Sequence, residues 1–375
     1  MKNLFQAISM IICFALTNVL SAQSVYMPRN PSPAAFIQQR VGASIVSIDY
    51  SRPSVVALSG ADRTGHIWGE MVPWDFELQS SYGNKKPLPW RAGANENTVF
   101  RISHDAKVEG EDLAAGAYGL FVAMHRDGSA TVIFSKDTAS WGSFFYEEAN
   151  DALRVKVNSE EIPLTKRLVY DFHDITKSSC LVALDWEKKR IPFHLTFETD
   201  EIVFKGLAEK INSLTKPTWR DYNNPARYCY QNNVHLEEAL QWVEKSLELE
   251  KNFSNQTLYA GILSKSGKKA EADKLIKGLL KGDEITDENY YSYGQQLIGE
   301  KRYDEALDLF KKLGKRWPES WLQYHGAGRT YSAMKDFSRA LENEKEALKR
   351  APEANKYFVT RAIQMLEAGI DFNTI

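Results

Sequence analysis

A period of thirty-four residues runs through the C-terminal third of this chain. Gly294 returns as Gly328, Ala306 as Ala340 and Pro318 as Pro352, and the same step leads back from Ala306 to Ala272 and from Gly294 to Ala260. A fixed period of this length means one supersecondary unit used repeatedly, each burying its apolar face against its neighbours. It predicts a stacked helical array, an architecture that presents a surface to another molecule.

The clearest unit spans 287–320. Gly294 is small where two helices must approach, Leu297, Tyr303 and Phe310 fill the core, Ala306 sits at the crossing, and Pro318 stops the second helix. Unit 321–354 repeats this with Gly328, Tyr331, Phe337, Ala340, Ala347 and Pro352. Two weaker units precede them: 253–286, with Ala260, Leu263, Gly267, Ala272 and Ile276, and 220–252, with Tyr230, Ala239, Val243 and Leu249. A capping helix is expected over 355–375. A linker helix is expected over 199–219, apolar at Ile202, Leu207, Ile211 and Leu214 and ended by Lys216-Pro217. On these residues the region closely resembles the tetratricopeptide repeat. In that family the first helix of each pair lines a concave groove. Carried over by position, the resemblance places Tyr228, Tyr291, Gln295, His325 and Arg329 on the groove as candidate partner-binding residues for an extended peptide or a helix. The alternative is that these side chains pack against the preceding domain.

From Ile45 to Phe197 the period is two. Val46, Ile48 and Tyr50 alternate with polar neighbours, as do Thr98, Phe100 and Ile102, then Leu153, Val155 and Val157, then Ile191, Phe193, Leu195 and Phe197. This is the pattern of half-buried antiparallel strands. Ala117–Met124 and Ala130–Ser135 flank Arg126-Asp127-Gly128, a hairpin signal. Eight or so short strands joined by Gly- and Pro-rich turns imply an antiparallel β-sandwich or open barrel over 23–198. Tyr50-Ser51-Arg52-Pro53, Asp62-Arg63-Thr64-Gly65, Ile67-Trp68-Gly69, Pro89-Trp90-Arg91-Ala92-Gly93-Ala94-Asn95-Glu96-Asn97-Thr98, Ala117-Tyr118-Gly119-Leu120-Phe121 and Trp141-Gly142-Ser143 follow in order. In that order they closely resemble the domain of unknown function numbered 2911, found in exported bacterial proteins. The resemblance implies an envelope or secreted location and no reaction.

Tyr50, Arg52, Trp90, Arg91 and Asn95 form the candidate ligand site. Two planar guanidinium groups suit a carboxylate or phosphate, with the aromatics as walls and the amide as an orienting group. The competing expectation is that both arginines brace loops through backbone carbonyls. No catalytic set emerges. His125-Arg126-Asp127 lacks every other part of a kinase site, no Gly-x-Ser-x-Gly occurs, and no base is assigned to a serine. His173, between Asp171 and Asp174, lacks a third metal ligand, so neither a metal nor a cofactor is expected.

At the N-terminus, Lys2, the apolar stretch Leu4–Val19 and the small residues Leu20-Ser21-Ala22 predict a cleaved Sec-type signal peptide over 1–22, hence a periplasmic or secreted protein with no membrane span after cleavage. Cleavage takes the formal net charge from −2 to −3, and the basic residues interleave with acids, so nucleic acid is not an expected partner. Cys180 and Cys229, in different domains, are expected as buried free thiols. The leading expectation is an exported, non-enzymatic protein whose repeats dock protein or peptide. The alternative is an enzyme or small-ligand receptor with an anion pocket in the β domain.

Overall fold

A computed structural model describes residues 32–76 and 87–374. The expected signal peptide lies outside the described residues. The chain divides into two units between Ile202 and Val203.

The first unit contains two antiparallel sheets. One has the order β1-β2-β3-β6-β7-β8, from β1 (Ala34–Val41), β2 (Ser44–Ser51), β3 (Thr98–Ile102), β6 (Gly116–Met124), β7 (Ser129–Ser135) and β8 (Asp151–Asn158). The other has the order β5-β4-β10-β9, from β4 (Ala106–Val108), β5 (Glu111–Leu113), β9 (Glu160–His173) and β10 (Ser179–Thr196). The alternation read from the sequence is met residue by residue: Val46, Ile48, Phe100, Val155, Ile191, Phe193 and Leu195 are all buried in one core drawn from both sheets. Phe100, Phe134 and Phe193 meet edge to face there, with ring centroids 5.2 to 5.9 Å apart. The long strand β9 carries no strong sequence signal, because its first half is largely exposed and its residues need not alternate.

Among the described residues the second part is helical: α1 (Thr199–Ser213), α2 (Trp219–Asn232), α3 (Leu236–Leu249), α4 (Phe253–Lys265), α5 (Lys269–Leu279), α6 (Asp287–Gly299), α7 (Tyr303–Arg316), α8 (Leu322–Ala333), α9 (Phe337–Arg350) and α10 (Glu353–Glu367). Helices α2 to α9 form four successive pairs and α10 packs on the last. The crossing alanines Ala272, Ala306 and Ala340 are fully or almost fully buried. Phe310 of α7 lies between Gly294 of α6 and Gly326 of α8, and a Cβ on either glycine would collide with its ring.

The turns repeat as strictly as the helices. Asp221, Asn255 and Asn289 are spaced thirty-four apart, and each accepts the backbone N–H of the residue three before it, Thr218, Asn252 and Thr286, at 2.8, 3.0 and 3.1 Å. Asn233, Gly267, Lys301 and Lys335 share the same spacing, and all are left-handed, with φ of 57°, 84°, 60° and 61°. These residues end the first helix of each pair and turn the chain into the second.

Candidate functional site

In the first unit each residue of the sequence-nominated ligand site makes a hydrogen bond to the protein's own backbone. Arg52 Nε donates to Leu168 O at 2.8 Å, and Arg52 O accepts from Arg167 Nη1 at 3.1 Å. Arg91 Nη1 donates to Asn95 O, and its guanidinium lies against Gly142, where a Cβ would collide with it. Asn95, left-handed at φ 62°, donates through its amide to Ser32 O at 3.1 Å. Trp90 Nε1 donates to Gly93 O at 3.1 Å while its ring stacks on Trp186 at 5.6 Å. Tyr50 is buried, its hydroxyl accepts from Tyr170 N at 3.3 Å, and the two rings meet edge to face at 4.8 Å. These five residues bind loops and strands together. The bonds described are those of braces.

The structure does orient one histidine that sequence reading set aside. His125 Nδ1 meets Asp75 Oδ1, and His125 Nε2 meets Thr131 Oγ1 at 2.8 Å. The order is that of an acid–imidazole–hydroxyl relay. Thr131, however, sits in β7 between β6 and β8, paired with Ala123 on one side and Lys156 on the other. Its backbone is committed to the sheet and supplies no donor for a developing oxyanion. The chain ties Asp75 to the β6–β7 hairpin. Among the described residues no group of three or more metal-ligating side chains converges.

The second unit carries a cavity of about 810 Å3 lined from the first helices of three consecutive pairs: Arg227, Tyr230 and Gln231 of α2, Ser254, Thr257 and Lys265 of α4, and Ser292, Gln295, Gln296 and Gly299 of α6, with Glu300, Lys301 and Arg302 at the following turn. Its floor is a hydrogen-bond network. Tyr230 donates its hydroxyl to Glu300, and Gln296 Nε2 donates to Tyr230 Oη at 3.1 Å and to Glu300 Oε1 at 3.0 Å. Arg302 Nη1 closes it on Glu300 at 2.8 Å. Gly261 lets α2 and α6 meet across α4: a Cβ there would come within 2.8 Å of both the Tyr230 hydroxyl and the Gln296 amide. Burial and the adjoining Glu300 carboxylate both raise the Tyr230 phenol, so it stays protonated and donates.

Of the sequence-nominated groove residues, Gln295 lines this cavity. Tyr291, His325 and Arg329 gather further along, and Tyr228 faces elsewhere, at the edge of the core that holds Cys229, Tyr230, Ala239 and Val243. Arg227 was missed, although it was legible: Arg329 and Gln295 are one period apart, and two further steps lead to Gly261 and then Arg227. The far end of this column is occupied by the chain itself. Arg329 Nε donates to Asn373 Oδ1 at 2.9 Å, and Asn373 Nδ2 donates back to Arg329 O at 2.9 Å. Ser332 Oγ donates to Asp371 Oδ1 at 2.6 Å, and the Phe372 ring lies 6.0 Å from His325 and 5.5 Å from the Arg329 guanidinium. His325 is buried against Tyr291, and its Nδ1 lies 2.9 and 3.0 Å from the two oxygens of Glu344.

Residues 32–195 match the family model described as Protein of unknown function (DUF2911). No curated protein matches the chain. Solved structures similar to the helical region include pilF of Pseudomonas aeruginosa, 20% identical, covering 44% of this chain and 70% of that one with a TM-score of 0.27. YrrB, a TPR protein with an unusual peptide-binding site, is 19% identical over 44% of this chain and 84% of its own, with a TM-score of 0.26. A tetratricopeptide repeat protein of Parabacteroides merdae is 17% identical over 46% and 81%, with a TM-score of 0.22.

Proposed function

From a DUF2911 region joined to a tetratricopeptide-type array, we propose that this protein is a binding scaffold whose inner helical face takes an extended segment of a partner protein. The observation that carries this reading is the cavity shared by α2, α4 and α6. It spans three repeats, as an extended ligand would, and it is lined by hydroxyl, amide and cationic groups able to bond a peptide backbone. Its floor is held by the Tyr230–Gln296–Glu300–Arg302 network, so the surface is ordered before a ligand arrives. No role is assigned to the β unit.

A peptide array probed with the chain from Gln23 onward tests the proposal. Selected peptides should lose binding to a variant filled by Ser292→Trp and Gln295→Trp, two exposed positions, while circular dichroism and melting stay as in the parent. A protein that selects no peptide, or a filled variant that binds the same peptides equally well, overturns the reading.

We further propose that the protein works after export. Lys2, the apolar stretch to Val19 and Leu20-Ser21-Ala22 support this. N-terminal sequencing of the mature protein should begin at Gln23, and a retained Met1 would refute it.

A further inference from the structure

The cavity lining carries four cations, Arg227, Lys265, Lys301 and Arg302, against one carboxylate, Glu300. Arg302 answers that carboxylate and Glu305 together, at 2.8 and 2.7 Å. The other three have no acidic partner among the described residues. Several other cations of the array do have an acidic partner: Lys312 has Asp308, Arg339 has Asp336, Arg350 has Glu346 and Lys356 has Glu353.

Arg227 is the most informative of the three. It is half-buried, and burial pushes its guanidinium down from the ordinary arginine value. Among the described residues, of its five N–H donors only those on Nη2 are used, toward Ser254 Oγ at 2.9 Å and Ser254 O at 3.4 Å. Lys265 is held nearby: its Nζ donates to Tyr230 O at 2.7 Å and stands 4.5 Å from the centroid of the Tyr230 ring. A cation removed from water without a counter-ion is costly, and a fixed one facing a cavity draws an anion into it. The other end of the same helical column shows what such an arginine accepts. Arg329, three periods on, donates to the side-chain oxygen of Asn373, which sits in the 3-10 turn Phe372–Thr374.

Resting on the scaffold reading above, we propose that the segment bound on the inner face presents a carboxylate to Arg227, with Lys265 and Lys301 completing its surroundings, so that the partner is an acidic peptide. A planar guanidinium with unused donors suits a carboxylate, and the neighbouring Gln231, Gln295 and Ser292 bond the backbone beside it.

Fluorescence anisotropy with three probes tests this: a fluorescein-labelled hexaglutamate amidated at its C-terminus, a hexaglutamine with a free C-terminal carboxylate, and an amidated hexaglutamine. The chain from Gln23 onward should bind the first, more weakly at higher salt, and should not bind the third. Binding of the second instead of the first identifies a terminal carboxylate as the group recognised. Arg227→Gln should weaken the bound probe about tenfold or more. Because Arg227 also ties α2 to α4, Ser292→Glu supplies the second variant: it places a competing carboxylate at an exposed position and should weaken the same probe with melting unchanged. Equal binding of all three probes, no binding of either carboxylate probe, or indifference to Ser292→Glu overturns the proposal. If the peptide array returns neutral peptides that Arg227→Gln binds as the parent does, this inference falls and the scaffold stands. If the filled variant binds them too, both fall.

Discussion

Glu344 holds in the last helix pair the place that Phe310 holds in the pair before it. The two are one period apart, and each lies over a glycine of the preceding helix, Gly328 and Gly294, where a Cβ would collide. An aromatic core position has become a carboxylate with no solvent exposure, and His325 has become its partner. Burial raises the Glu344 carboxyl above its ordinary 4.5, outweighing the hydrogen bond and charge of His325 and the charge of Arg329. A raised value in the folded state means that folding favours the protonated acid. The contribution is therefore fully present below about 4.5 and is lost as pH rises through the folded value. Urea denaturation of the parent against Glu344→Gln, between about pH 4 and pH 8, should show the parent declining relative to the variant as pH rises. Parallel curves would remove the shift. His325→Leu should cost about 3 kcal/mol, because it leaves the carboxylate buried without its partner.

Gly294 and Gly206 should respond oppositely to alanine. At Gly294 the added methyl meets the Phe310 ring, so the variant should lose about 1–3 kcal/mol in chemical denaturation. At Gly206, exposed within α1 with nothing within 4 Å, the gain in helix propensity acts alone and should add about 0.5–1 kcal/mol. Equal effects would mean that close packing at Gly294 is not what selects glycine there.

Lys335→Gly should stabilise the array by about 0.5–1 kcal/mol, since the lysine holds φ 61°, which strains a lysine and not a glycine. Differential scanning calorimetry reads the change, and a lower melting temperature would show the lysine making a compensating contact.

Arg52→Ala should lower the melting temperature of the β unit, by about 1–2 kcal/mol in stability, because Leu168 O loses its donor. An unchanged melt would contradict the bracing role assigned to this arginine.

Cys180 is buried and its thiol is pushed up to about 11, so it is neither exposed nor ionised near neutral pH. Cys229 is buried as well, and neither forms a disulfide. Neither should react with a thiol reagent at about pH 8 until denaturant is added. Rapid labelling of the native chain would mean that the cores open.

The repeats and the strands were legible because each is a local rhythm. A helix pair needs small residues at a fixed interval, and a half-buried strand needs every second side chain apolar, so Ala272, Ala306 and Ala340 or Val46, Ile48 and Phe100 announce themselves in one dimension. The capping-box residues Asp221, Asn255 and Asn289 and the left-handed turn residues carry the same interval. Asn233 and Gly267 suit a left-handed turn, but Lys301 and Lys335 do not, so residue type alone conceals that the four positions are one.

Other features became visible only in three dimensions. Arg52 and Arg91 read equally well as anion ligands or as braces, because their acceptors, Leu168 O and Asn95 O, are backbone carbonyls that every residue possesses. Of the five groove residues nominated by spacing, Gln295 lines the cavity, and which of its cations lack a counter-ion depends on their surroundings in the fold. Arg302 finds Glu300 and Glu305 close by, Arg329 finds Asn373 forty-four residues on, and Arg227, among the described residues, finds only Ser254. Periodicity determined the elements because it acts between residues a few positions apart. The folded chain alone determined the site, because charge compensation acts through space between residues that the sequence keeps far apart.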